Sequence, residues 1–202
     1  MITVKKDIDL LDEVDQYDLV FIGTNVYCCL TQGVQREIAL HYPYCREANL
    51  TQRYGDPKRL GTFLETTKEG EPTIVLLYMY MGFPYRKDKN EPFLDYDILE
   101  KTLINANEAY KGRRVATTLL GCSRFDGNGD REKVLEIMER TLKDMDVVVY
   151  DYHQLKQSEK MMGIMIEEWK VKEVDRKKYF AMRRERKLAG KKLKEKNGFA
   201  MY

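Results

Sequence analysis

With 202 residues, 43% of them hydrophobic and 34% charged, the chain suits one domain of ordinary size with an appendage, and this balance excludes wholesale disorder. Its net charge of +2 is uneven: residues 176–196 (RKKYFAMRRERKLAGKKLKEK) hold eleven basic and two acidic side chains, +9 together, which leaves −7 for the rest. The acidic N-terminus excludes a signal peptide and no stretch approaches the roughly 20 apolar residues of a membrane span, so a cytoplasmic protein without a membrane partner is expected.

In chain order, Ile2 to Lys5 is a short β-type run and Asp18 to Gly23 (DLVFIG) a second, apolar enough for a strand buried on both sheet faces. After a loop, Val34, Ile38 and Ala39 recur at helical spacing between Gly33 and His41, and Pro43 reads as lying just past the helix end. Leu60 to Glu65 and Thr73 to Tyr80 (TIVLLYMY) are predicted strands around a turn at Lys68 to Pro72. Gly82 to Pro92 is predicted loop. A helix is expected over Asp95 to Tyr110, stopped by Gly112, then a strand over Val115 to Leu120. The polar segment Gly121 to Asp130 (GCSRFDGNGD) leads into a predicted helix over Arg131 to Lys143, and Val147 to Tyr150 is the last strand. Alternating strands and helices predict a three-layer α/β/α domain over 1–155, its mixed, mostly parallel sheet covered by helices on both faces, with a basic helical extension over 156–202.

Cysteines at 28, 29, 45 and 122 without a CxxC pair, and histidines only at 41 and 153, argue against structural zinc and against a disulfide framework. No metal is expected, and the thiols read as buried or half-buried in a reducing compartment. Two loops carry the chemistry: GTNVYCCLTQG (23–33) and GCSRFDGNGD (121–130) each follow an apolar strand and lead into a helix. Backbone N–H groups in such turns and at helix N-termini donate to anionic oxygens, so the pair can cradle a diphosphate, although many glycine-bearing turns bind nothing. Neither a Walker A nor a GxGxxG pattern is present and no cofactor is expected.

The order of segments over about 1–150 resembles the macro domain, in particular its ADP-ribosyl hydrolase and ADP-ribose-1''-phosphate phosphatase branch. ITVKKDI (2–8) resembles the family's opening strand and Gly-Asp-Ile motif; TNVYCCLTQGVQREIALHYP (24–43) resembles its Thr-Asn stretch, glycine-rich loop, helix and Tyr-Pro; LGTFLE (60–65) and LLGCSRFDGNGDREKV (119–134) resemble its Leu-Gly-Thr strand and its Ile-Gly-Cys-Gly loop and helix. The resemblance implies ADP-ribose or a derivative as ligand, with hydrolysis of a phosphate or ester linkage at the distal ribose; a non-catalytic reader is the alternative. It places Asp7 on the adenine amino group and Ile8 beside the base, though Asp7 equally suits a cap or turn. Asn25 faces the distal ribose with a catalytic role. Cys29, Leu30, Thr31 and Gly33 line the diphosphate and ribose from the first loop, and Gly121, Cys122, Ser123, Arg124, Phe125 and Gly127 from the second.

Asp126 stands nearest the place of the family's catalytic aspartate, against the reading of a solvated loop acid; Asp130 reads as the cap of the next helix. The first loop keeps only Gly33, with Cys28 and Thr31 where the family has glycines, and Ser123 replaces another. Met79 or Tyr80 stands where one family mechanism uses a lysine. Among Tyr78, Tyr80, Phe83, Tyr85 and Phe125, which can stack on a base or fill core, Phe125 is the first candidate for stacking. Beyond the resemblance, Met162, Ile164, Met165, Ile166 and Trp169 suggest a packed helix, and the basic 176–196 stretch offers phosphate contacts to nucleic acid, with Tyr179 and Phe180 for stacking, or is simply a solvated helix. The oligomeric state is left open.

Overall fold

A computed structural model describes residues 1–81, 94–123 and 127–151. The predicted loop at 82–92 with Phe83 and Tyr85, the site candidates Arg124, Phe125 and Asp126, and the extension at 156–202 lie outside the described residues.

Among the described residues six strands form one sheet: β1 (Ile2–Lys6), β2 (Leu19–Asn25), β3 (Phe63–Thr66), β4 (Thr73–Tyr80), β5 (Arg114–Thr118) and β6 (Asp146–Asp151), in the order β1-β6-β5-β2-β4-β3. Only β3 runs antiparallel, against β4; the other neighbours are parallel. Four helices cover it: α1 (Gly33–His41), α2 (Pro43–Leu50), α3 (Tyr96–Ala109) and α4 (Arg131–Thr141). Alternation along the central strands divides the core in two. Leu19, Phe21, Val75, Leu77 and Met79 pack with Leu99 and Leu103 of α3 and Val134, Ile137 and Met138 of α4. Val20, Ile22, Ile74 and Leu76 pack with Ile38 and Ala39 of α1 and Cys45 of α2. The architecture is the expected three-layer α/β fold with a mostly parallel sheet.

Local chemistry sets the element ends. Asp95 caps α3, its Oδ1 accepting from the backbone N–H of Asp97 and Ile98. Gly112, at φ +76°, turns the chain after α3 and donates to the Asp144 carbonyl at 2.7 Å.

Among the boundaries that differ from the sequence reading, three have a local cause. Pro43 ends nothing: it occupies the first turn of α2, a helix absent from the predicted elements, because proline's fixed φ and missing N–H suit a helix start. Leu60 and Gly61 precede β3 instead of opening it, since Leu60 closes a 3₁₀ turn over Pro57–Arg59 and Gly61 takes φ +78°. Leu119 and Leu120 lie beyond β5, where Cys122 N–H donates back to the Leu119 carbonyl and Gly121 adopts φ +71°.

Candidate ligand crevice between two loops

β2 and β5 are neighbours, and the chain leaves β2 for α1 on one face of the sheet and β5 for α4 on the other. Where successive connections part in this way, a crevice opens at the carboxyl ends of the strands. The loops predicted to carry the chemistry, within 23–33 and 121–130, follow β2 and β5.

The first loop is held by side chains where glycines were expected. Asn25, 6% exposed, accepts from Tyr27 N–H at 2.9 Å through Oδ1 and donates Nδ2 to the Cys29 carbonyl at 3.4 Å, so its amide shapes the loop. Cys28 adopts φ +58°, a left-handed conformation that costs a non-glycine residue about 1–2 kcal/mol. Its thiol donates to the Gln52 carbonyl at 3.6 Å and receives Arg59 Nη1 at 3.1 Å. Cys29 is half-buried, its thiol donating to the Tyr27 carbonyl and held above its ordinary pKa by burial and by the Cys28 thiol. Leu30 is buried in the α1 face of the core, Thr31 is exposed, and Gly33 starts α1 at φ +53°.

Beneath this loop lies a polar cluster that sequence reasoning missed. The Arg59 guanidinium lies 3.8 Å from the centre of the Tyr78 ring, donates through Nη1 to the carbonyls of Val26 (3.4 Å) and Arg53 (3.2 Å), and through Nη2 to Asn49 Oδ1 (3.2 Å). Asn49, fully buried, also accepts from Tyr78 Oη at 2.8 Å. Burial pushes the Tyr78 hydroxyl up to about 12, against the opposing pull of Arg59. The only signal in the sequence was an arginine beside Pro57 and Lys58 in a polar turn, which looks like any solvated cation.

The second loop turns on a leucine. Gly121, Gly127 and Gly129 face Leu94: an added Cβ would lie 2.9, 2.9 and 2.8 Å from its side chain, and at Gly127 also 2.5 Å from the Gly121 carbonyl oxygen. Leu94 N–H donates to the Gly127 carbonyl and Gly129 N–H to that of Gly121. These glycines are therefore required by close packing, whatever else they do. Cys122 and Ser123 are half-buried on the same turn. Asp130 caps α4, its carboxylate accepting from Lys133 N–H at 2.9 Å, while its own N–H donates to Tyr96 Oη at 2.9 Å.

The remaining candidates sit elsewhere along the strand ends. Asp7 follows β1 at φ +61°, its N–H on the Asp151 carbonyl, and Ile8 beside it is 37% exposed. The cap of the next turn is Asp9, which accepts from Leu11 N–H. Met79 and Tyr80, at the end of β4, are buried in core, as is Tyr78. No group of three His, Cys, Asp or Glu among the described residues is placed to hold a metal, and no described helix is long and apolar enough to cross a membrane.

No protein-family model matches the sequence, and no curated protein matches it. Solved structures do. The macrodomain of Thermus aquaticus DarG aligns with a TM-score of 0.56 at 15% identity, over 76% of this chain and 99% of its own. The macrodomain of Mycobacterium tuberculosis DarG aligns at 0.54 and 20% identity, over 76% and 99%. Thermosipho africanus DarTG, solved in complex with ADP-ribose, aligns at 0.52 and 15% identity, over 69% of this chain and 39% of its own. At such identities the shared property is the architecture, and the described residues have the macrodomain fold.

Proposed function

We propose that this chain binds ADP-ribose or a derivative in the crevice between loops 26–32 and 119–130. The observation that carries this reading is the pair of turns at the carboxyl ends of the neighbouring strands β2 and β5, each followed by a helix whose N-terminal N–H groups favour anionic oxygens. The fold shared with a protein solved in complex with ADP-ribose supports it. In this reading Cys29 to Gly33 and Gly121 offer backbone donors to the diphosphate, with Cys122 and Ser123 lining it, while Asp7 and Ile8 receive the adenine. Calorimetric titration with ADP-ribose, against ADP and AMP, tests it: selective saturable binding supports the reading, and equal or absent binding of all three removes it.

Hydrolysis at the distal ribose is the second part of the proposal. Asp130 is engaged as the α4 cap, which leaves Asp126 as the remaining carboxylate of the loop sequence; it would take a proton from the water that attacks the anomeric carbon as the carbon–oxygen bond breaks. Asn25, whose amide is engaged within its own loop, is assigned to ribose positioning. Asp126→Ala should lower turnover of an ADP-ribose-linked phosphate or ester by about 10²–10⁴-fold with affinity retained. A wild-type chain that binds ADP-ribose and turns over neither substrate is a reader.

A further inference from the structure

The first loop keeps a left-handed turn without a glycine, and one side chain reaches both residues that make it. Arg59 Nη1 lies 3.4 Å from the Val26 carbonyl oxygen and 3.1 Å from Cys28 Sγ. Val26 is further tied by its carbonyl to Gly55 N–H at 3.0 Å, and Cys28 Sγ to the Gln52 carbonyl, so the loop is fastened to the 52–59 segment at several points. The guanidinium is fixed from below, by the Tyr78 face and by Asn49. No carboxylate pairs with it among the described residues, and its Nε and Asn49 Nδ2 find no acceptor there. The cluster is rich in donors and keeps an unbalanced positive charge directly under the loop.

We propose that Arg59 is the positioning residue of the first loop: its planar fork takes the place of the absent glycines by holding Cys28 left-handed, and so sets the backbone of Cys29 to Gly33 for the diphosphate and distal ribose. The ligand in this statement rests on the ADP-ribose reading; the loop-holding role does not. A lysine cannot substitute, because a point-like ammonium lacks the geometry to meet the Val26 carbonyl, Cys28 Sγ and Asn49 together while stacking on Tyr78.

The test uses the full chain, wild type against Arg59→Met and Arg59→Lys, with two readouts. The first is the limiting rate constant, taken from the alkaline plateau of the pH–rate profile where the thiol is fully ionised, at which N-ethylmaleimide labels Cys28, resolved from Cys29 by peptide fragmentation and referred to Cys45, which is fully buried on α2. Losing a charge-assisted contact should speed Cys28 labelling about tenfold with Cys45 unchanged. An unchanged Cys28 rate, or equal acceleration at both thiols, overturns the proposal; if the methionine variant does not fold, the lysine variant decides on the same ratio. The second readout is affinity for ADP-ribose against AMP, which lacks the second phosphate and the distal ribose. About a tenfold loss for ADP-ribose with AMP unchanged is expected, whereas a parallel loss of both marks a merely structural arginine. If wild type binds no ADP-ribose, the functional reading fails, and the labelling ratio still decides what Arg59 does to the loop.

Discussion

Leu94 and the glycines around it show how little room single residues have in the second loop. A methyl group at Gly127 would meet the Gly121 carbonyl oxygen at 2.5 Å and Leu94 Cβ at 2.9 Å, so Gly127→Ala should cost about 1–3 kcal/mol through overpacking. Gly70, at φ +77° with nothing within 4 Å, is the control, where Ala should cost no more than about 1–2 kcal/mol from the left-handed backbone alone. Leu94→Ala, at a residue 4% exposed, should cost about 2–5 kcal/mol. Urea unfolding of the three variants checks the set, and a Gly127→Ala chain as stable as wild type would refute the packing account.

Buried tyrosines set an alkaline limit at the same scale. Burial raises the Tyr78 hydroxyl to about 12 and lifts those of Tyr42, Tyr44 and Tyr110 further; at Tyr150 burial is joined by hydrogen bonds to Glu13 and Tyr17. Each is neutral when folded and ionises near 10 when unfolded, so its stabilisation is complete below about pH 10 and is lost as pH rises through the folded value. Glu13 has the opposite sign: hydrogen bonds from Lys5 and then Tyr150 hold its carboxyl below the ordinary value of 4.5. Its contribution is present above that value and lost as pH falls through the folded one. Melting temperature against pH should therefore fall on both flanks, and Glu13→Gln should flatten the acid one while also changing the alkaline one through Tyr150, whose hydroxyl donates to Glu13; an unaltered acid flank in that variant would contradict the assignment.

Among the elements, α4 depends on Asp130 for its start. Asp130→Ala removes an acceptor from the Lys133 N–H and should cost about 1 kcal/mol, while Asp130→Asn keeps the cap. If denaturation shows the two variants equally stable, the cap is not what Asp130 contributes. The elements legible from the sequence were those whose pattern is self-contained: β2 and β4 as apolar runs, α3 and α4 as 3.6-residue repeats with an aspartate before them. α2 was hidden because a proline after a helix signals a stop and a proline before one signals a start, and Pro43 stands between two helices. β3 was placed too early because Leu60 and Thr62 look like strand residues, and nothing local shows that Gly61 bends the chain between them.

For the molecule as a whole, the first and last strands lie side by side: β1 pairs with β6 from Ile2↔Val147 to Lys6↔Asp151, and the Val147 N–H reaches the Met1 carbonyl. Among the described residues the sheet therefore holds both the first and the last strand, and its last strand ends at Asp151. We propose that residues 176–196 contact nucleic acid through their phosphate-seeking charge. A chain lacking 176–202 should lose a salt-sensitive association with RNA or DNA, measured by fluorescence anisotropy at two salt concentrations, and retain the ADP-ribose binding proposed above. Undiminished nucleic-acid binding by the truncated chain would place that contact elsewhere.

What the sequence determined by itself is what local pattern encodes: the alternation of strands and helices, hence a parallel-rich sheet with two loops at one end, and the capping Asp130, whose chemistry reaches only three residues ahead. Tertiary structure decided what those loops are made of. Arg59 comes to lie under Cys28, 31 residues away along the chain, and Leu94 under three glycines up to 35 positions later, because strand order brings distant segments together at the carboxyl end of β2 and β5. No periodicity or motif records such a meeting, since the energy of each contact belongs to two parts of the chain at once.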